Sequence, residues 1–209
     1  MSAVFACGER NTVNHSLICS KGGFVIKRHN EILDVEAEFL DEVCRSVTKE
    51  PTLLPLSVEV IRGNTAIEAR LDVSAVGFWR PQEKMFADVR ILDPNCQSYK
   101  DREPHLIYSQ HEAQKKHEYN ERVLNVEHGT LTALIFSTTG GWDKEVTRFH
   151  KQLVKLLSEK RGKSYNVVMN LIIKRLRFTL LRTILLGSGD GPFSNVHAVF
   201  NEHCRSLGL

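Results

Sequence analysis

Apolar positions recur at helical spacing in "RHNEILDVEAEFLDEVCRSV", where Ile32, Val35, Phe39, Val43 and Val47 predict an amphipathic helix. Asn30 is placed to cap its start, and Glu31, Asp34 and Glu36 suit the positive end of the helix dipole. "LSVEVIR" predicts a strand ending at a Gly63–Asn64 turn, and "RLDVSAV" and "MFADVRIL" predict two more, joined through "FWRPQEK". The breaker-rich "DPNCQSYKDREPH" then leads to a helix over about 111–125 and the strand "LTALIFS". After the turn "TTGG", two helices are predicted, over about 143–160 and 165–186. The order helix, three strands, helix, strand, helix, helix predicts an α/β fold. A small central mixed sheet would be flanked by helices, with a helical C-terminal part.

Alternation assigns faces. In "RLDVSAV", Leu71, Val73 and Ala75 share one face, and Arg70, Asp72 and Ser74 the other. In "MFADVRIL", Phe86, Asp88, Arg90 and Leu92 oppose Met85, Ala87, Val89 and Ile91, so only Asp88 and Arg90 interrupt a strand apolar on both sides. That is the pattern of a central strand. A turn centred near Arg80 sets Asp72 opposite Asp88, and like charges across a strand pair repel by ~4 kcal/mol at about 4 Å and an effective dielectric near 20. Two readings stand open. Either both carboxylates hold one divalent cation, for which hard oxygen ligands suit Mg²⁺, or each forms a buried salt bridge with Arg70 or Arg90.

Composition narrows the setting. Of 209 residues, 42% are hydrophobic and 25% charged, ordinary for a globular chain able to bury a core. The longest apolar stretch is cut by Lys174, Arg175, Arg177 and Arg182, which excludes a membrane span there. Five irregularly spaced cysteines point to a reducing, intracellular compartment rather than a disulfide framework. The net charge of +3 hides a block from Arg148 to Arg182 with ten Lys or Arg and one acid. Such a one-sided block fits a polyanion partner better than a solvated helix, which mixes signs.

In "HEAQKKHEYNERV", Glu112, Lys116, Tyr119 and Val123 share a helical face, which turns Lys116 and Tyr119 inward. By itself Lys116 reads as a surface lysine. Beside two metal-binding aspartates, an inward ammonium meets the needs of phosphodiester hydrolysis.

Together "RHNEI", "ARLDV", "GFW", "DVRI", "HEAQKKHEYNERV" and "STTGG" resemble a restriction-endonuclease-like domain of the PD-(D/E)xK class. The likeness is to the nuclease C-terminal to reverse transcriptase in retroelements, and it runs from about Cys7 to Arg182. The resemblance implies a metal-dependent DNA endonuclease, using Mg²⁺ or Mn²⁺, that nicks target DNA and works in the nucleus. Asp72 and Asp88 would be its metal-binding acids. Arg90 stands where the family often has its catalytic lysine, and the lysine would come from the next helix as Lys116 beside Tyr119, with Lys115 the near alternative. Glu31 or Asp34 is a further candidate ligand. Arg28 and His29, with Arg90 and Lys115, would contact DNA. A Cys/His segment over 1–27 would precede the nuclease-like domain of 28–186, and 187–209 would form a tail. In that segment Cys7, His15 and Cys19 match a zinc pattern in which Phe5 replaces a cysteine, leaving a fourth ligand to be found, such as His29. The chain begins at Met1 with no polymerase ahead of it. That fits a separated or domesticated nuclease, or a fragment of an element.

Two other classes compete with catalysis. One is a non-catalytic nucleic-acid-binding module with a degenerate nuclease fold. The other is an assembly domain, because the last helix is apolar nearly all round and so is either buried or an oligomer interface. His105, His111, His117, His128, His150, His197 and His203 show no metal-ligand spacing, and surface or capping roles are expected for them. Trp79 and Trp142 flank turns, where they would anchor the core or stack on bases.

Overall fold

The computed structural model describes residues 15, 17, 23–56 and 69–187. Helix α1 (Phe24–Val43) leads into strands β1 (Arg45–Lys49), β2 (Val73–Val76) and β3 (Lys84–Leu92). A 3₁₀ turn (Gln97–Tyr99), helix α2 (Pro104–Asn125) and strand β4 (Thr130–Ser137) follow, then helices α3 (Lys144–Arg161) and α4 (Tyr165–Gly187). The protein is α/β, and its described residues form a four-stranded mixed sheet in the order β1-β2-β3-β4. Strands β1 to β3 are antiparallel, and β4 runs parallel to β3.

The predicted order of elements holds, but the first strand is a different segment. Residues 57–68, most of "LSVEVIR" with its Gly63–Asn64 turn, lie outside the described residues. The edge position belongs to β1, "RSVTK", which is exposed at four of its five positions and so shows no apolar alternation. Val47 belongs to this strand, since α1 ends at Val43. Helix α1 also starts earlier than expected, after Gly23 in the left-handed region (φ 72°). Asn30, Glu31, Asp34 and Glu36 therefore sit inside the helix and not at its first turn. Asp143 does cap α3, accepting from the Val146 N–H at 2.9 Å.

The main core lies on one face of the sheet. Val73, Ala75, Met85, Ala87, Val89, Leu134 and Phe136 meet Ile32, Phe39 and Leu40 of α1, Phe149 and Leu153 of α3, and Ile172 and Leu176 of α4. Within α4, the stripe Val168, Ile172, Leu176 and Leu180 is buried, whereas Val167 and Leu181 stay about half exposed. Helix α2 covers the opposite face through two small apolar clusters. One joins Phe86, Leu131 and Val123, and the other joins Leu92, Ala133, Ile135 and Ile107. Between Phe86 and Leu92 on that face, β3 carries Asp88 and Arg90. The fold thus leaves a polar gap between two apolar patches under α2.

The basic block is not a uniformly free surface. Arg161 pairs with Glu42, Arg175 with Glu38 and Arg182 with Glu31. The last two pairs are seven residues apart along both α1 and α4, as two antiparallel helices in register require. Among the described residues no helix is long and apolar enough to cross a membrane.

Candidate active site

Strands β2 and β3 pair with Val73 opposite Ala87, the register of a hairpin centred at residue 80. The Asp72 N–H still donates to the Ala87 carbonyl at 3.2 Å, but the chain bends there. Leu71 joins the cluster around Phe86 while Val73 lies in the main core, so Leu71 and Val73 do not share the face that alternation assigned them. The bend aims the Asp72 carboxylate at β3. Its Oδ2 accepts from the Val89 N–H at 2.5 Å, standing in for a ladder acceptor just before β2 begins.

His29, from α1, closes on the same point. Its Nε2 lies 3.1 Å from Asp72 Oδ2 and 3.1 Å from the Val89 carbonyl. The hydrogen bond to Asp72 outweighs burial and raises the imidazole pKa to about 9, so this histidine is a cation at neutral pH.

Asp88 is 4% exposed. Burial, and next the charge of Asp72, push its carboxyl up to about 6, against the opposing pull of Lys115 and His29. Lys115 Nζ stands 2.9 Å from Asp88 Oδ2 as an ion pair. One turn along α2, the Tyr119 ring centroid is 5.4 Å from the same Nζ. Burial, then a hydrogen bond to Glu118 and the charges of Glu118, Asp88 and Asp72, keep the Tyr119 phenol above its ordinary pKa and therefore protonated.

The lysine at the acids is thus Lys115, the neighbour of the one expected. Lys116 turns to the other side of α2, where its Nζ meets Glu112 at 2.7 Å and Glu145 at 2.8 Å. Burial works against that charge, but the two glutamates outweigh it and raise the ammonium pKa. Glu145 also accepts from the Ala133 N–H at 3.1 Å on the edge strand, which fixes the direction of Lys116.

The arginines expected to neutralise the aspartates are engaged elsewhere. Arg90 donates to Gln114 at 3.1 Å, and Arg70 stands 3.7 Å from Glu50. Arg28 is 2% exposed and donates to the Leu17 carbonyl, and burial depresses its guanidinium pKa despite the nearby Asp93. That depth removes Arg28 from the expected contact with DNA. Glu31 and Asp34 are not at the acids either, since Glu31 pairs with Arg182 and Asp34 with Lys49. Of the zinc candidates, Cys7 and Cys19 lie outside the described residues, His15 is half-buried, and His29 is committed to Asp72.

Among the described residues no three His, Cys, Asp or Glu side chains gather as a ready-made metal cage. The donor set nonetheless fits Mg²⁺, which keeps most of its waters and takes one or two carboxylates. Asp72 and Asp88 supply those carboxylates, each beside a cation on α1 or α2. No protein-family model and no curated protein matches the chain.

Two histidines expected at the surface are buried. His111 accepts or shares a 2.5 Å hydrogen bond with the Tyr99 hydroxyl, and burial, then Arg90, depress its pKa. His150 meets Glu36 at 2.7 Å inside the main core. Neither showed a signal in spacing, because their partners are 12 and 114 residues away.

Proposed function

We propose that the protein is a divalent-metal-dependent DNA endonuclease with a restriction-endonuclease-like fold, related to the nucleases of retroelements and acting in the nucleus. The observation that carries this reading is the pair Asp72 and Asp88, close enough for the Asp72 charge to raise the Asp88 carboxyl, with the Lys115 ammonium on Asp88. Two carboxylates brought to one gap under α2 suit a divalent cation. When bound there, Mg²⁺ or Mn²⁺ would supply Lewis-acid activation of water and stabilise the leaving oxygen. The chain's own groups would do the rest. Asp72 and Asp88 would hold the ion. Lys115 would offset charge on the phosphate, and the protonated Tyr119 would donate to a phosphate oxygen.

The test is nicking of supercoiled plasmid with Mg²⁺, with Mn²⁺ and with chelator. Metal-dependent nicking lost in Asp88→Asn, with the circular dichroism spectrum unchanged, supports the reading. Equal cleavage by wild type and variant rejects it.

One observation favours a non-catalytic nucleic-acid-binding module. Asp72 and Asp88 each have a cation of their own, His29 and Lys115. In that reading DNA binding weakens with salt and ignores Mg²⁺.

A further inference from the structure

On the side of α2 away from the aspartates, a cleft of about 430 Å³ opens between α2, the edge strand β4, the first turns of α3 and the β2–β3 turn. Trp79 forms one wall, with its indole N–H donating to Thr132 Oγ1 at 3.2 Å. The Arg148 guanidinium lies over that indole, 4.7 Å from the ring centroid. Stacking holds a guanidinium flat and leaves its N–H edge for a planar or tetrahedral oxyanion.

The cations of the cleft differ in how far they are spent. Lys116 is held between Glu112 and Glu145. Arg80 is 3.9 Å from Glu83, a loose contact on a side chain 82% exposed. Arg148 is the guanidinium in the cleft without an acid partner among the described residues. With Glu112 holding Lys116 from beside the lining, three cations meet three carboxylates, and Arg148 is the cation left for an anion. A phosphodiester, with its single negative charge, would pair with it. The remaining lining is apolar at Leu124 and Leu131 and hydrogen-bonding at Asn120, as a base with a flat face and a polar edge needs.

We infer that this cleft holds one nucleotide of a single-stranded nucleic acid, its phosphodiester on Arg148 and Arg80 and its base against Leu124 and Leu131. The inference deepens the nucleic-acid reading, since it places a strand contact on the opposite flank of α2 from Lys115.

The experiment measures binding of a short single-stranded deoxyoligonucleotide in chelator, where cleavage cannot contribute, following tryptophan fluorescence across a salt series. In the wild type the oligonucleotide quenches fluorescence, and Trp79→Phe removes most of that quench. Arg148→Ala lowers the slope of log affinity against log salt by about one, the signature of one lost phosphate contact. Arg175→Ala, whose guanidinium is held by Glu38, leaves the slope unchanged. Equal slopes in wild type and Arg148→Ala, or equal losses from both arginine variants, would overturn the inference. So would a mononucleotide that binds as tightly as the oligonucleotide, which would make the cleft a small-molecule site. Binding in chelator and metal-dependent nicking are read separately, so failure of the cleavage reading and failure of this one give different results.

Discussion

Lys115 Nζ lies 2.9 Å from Asp88 Oδ2, whereas its sequence neighbour Lys116 is bound on the far side of the same helix by Glu112 and Glu145. Adjacent helical residues point about 100° apart, so only one of the two lysines can serve the acids. If Lys115 offsets charge on the reacting phosphate, Lys115→Ala lowers the nicking rate by about 10²–10³-fold, the range seen when one preorganised charge or donor is removed. Lys116→Ala retains most of the activity. Initial nicking rates at saturating Mg²⁺ decide it, and the reverse ranking would return the role to Lys116.

The two aspartates differ in what they do for the fold. Asp72 accepts from a β3 backbone N–H and from His29, so Asp72→Ala strands both donors and destabilises the protein by about 1–3 kcal/mol. Asp88 is a buried carboxyl whose charge is opposed by desolvation and by Asp72. Asp88→Asn therefore raises the stability of the metal-free protein at pH 7, by about 1 kcal/mol. Urea denaturation in chelator measures both. Opposite signs are expected, and a loss in Asp88→Asn as large as that in Asp72→Ala would contradict the assignment.

Much of this was legible in the chain. The alternation in "MFADVRIL" found the central strand, and the hairpin centre at residue 80 set the register that brings the acids together. What escaped was contact between distant segments. Strand β1 is polar because its outer edge is solvated, so no pattern marks it. The bend at Asp72 depends on a side-chain bond to Val89 that alternation does not encode. Helical spacing turned Lys116 inward with Tyr119, but Glu145, 29 residues beyond it, holds Lys116 and leaves Lys115 at Asp88. The basic block looked like a free surface because the acids that neutralise part of it, Glu31, Glu38 and Glu42, are more than a hundred residues away on α1.

Asp143 supplies a pH-dependent term away from the proposed metal ligands. Burial, then the Glu112 charge, raise its carboxyl to about 6 although it caps α3. A carboxyl raised in the folded state favours folding fully below the unfolded value near 3.8, and that contribution is lost as pH rises through about 6. Asn keeps the cap without the charge. Asp143→Asn is thus more stable than wild type at pH 7, by on the order of 1 kcal/mol after solvent screening, with the gain vanishing at pH 4. Thermal melts at the two pH values test this, and a gain independent of pH would point to a cause other than the carboxyl's charge.

Glu36 and His150 form the most deeply buried polar contact between α1 and α3, with side chains 0% and 2% exposed and 2.7 Å between Oε1 and Nε2. The rings of Phe136, Phe149 and Trp142 surround the imidazole, so water cannot take the place of a lost partner. Removing one member leaves the other buried and unsatisfied, at a cost of about 3–5 kcal/mol. His150→Ala and Glu36→Ala should each lose that much in urea denaturation. The double replacement Glu36→Leu with His150→Phe refills the volume with apolar atoms and should lose less than either single change. If the double variant were as unstable as the sum of the singles, the cost would come from packing alone, and the pair would not hold α1 to α3 through its hydrogen bond.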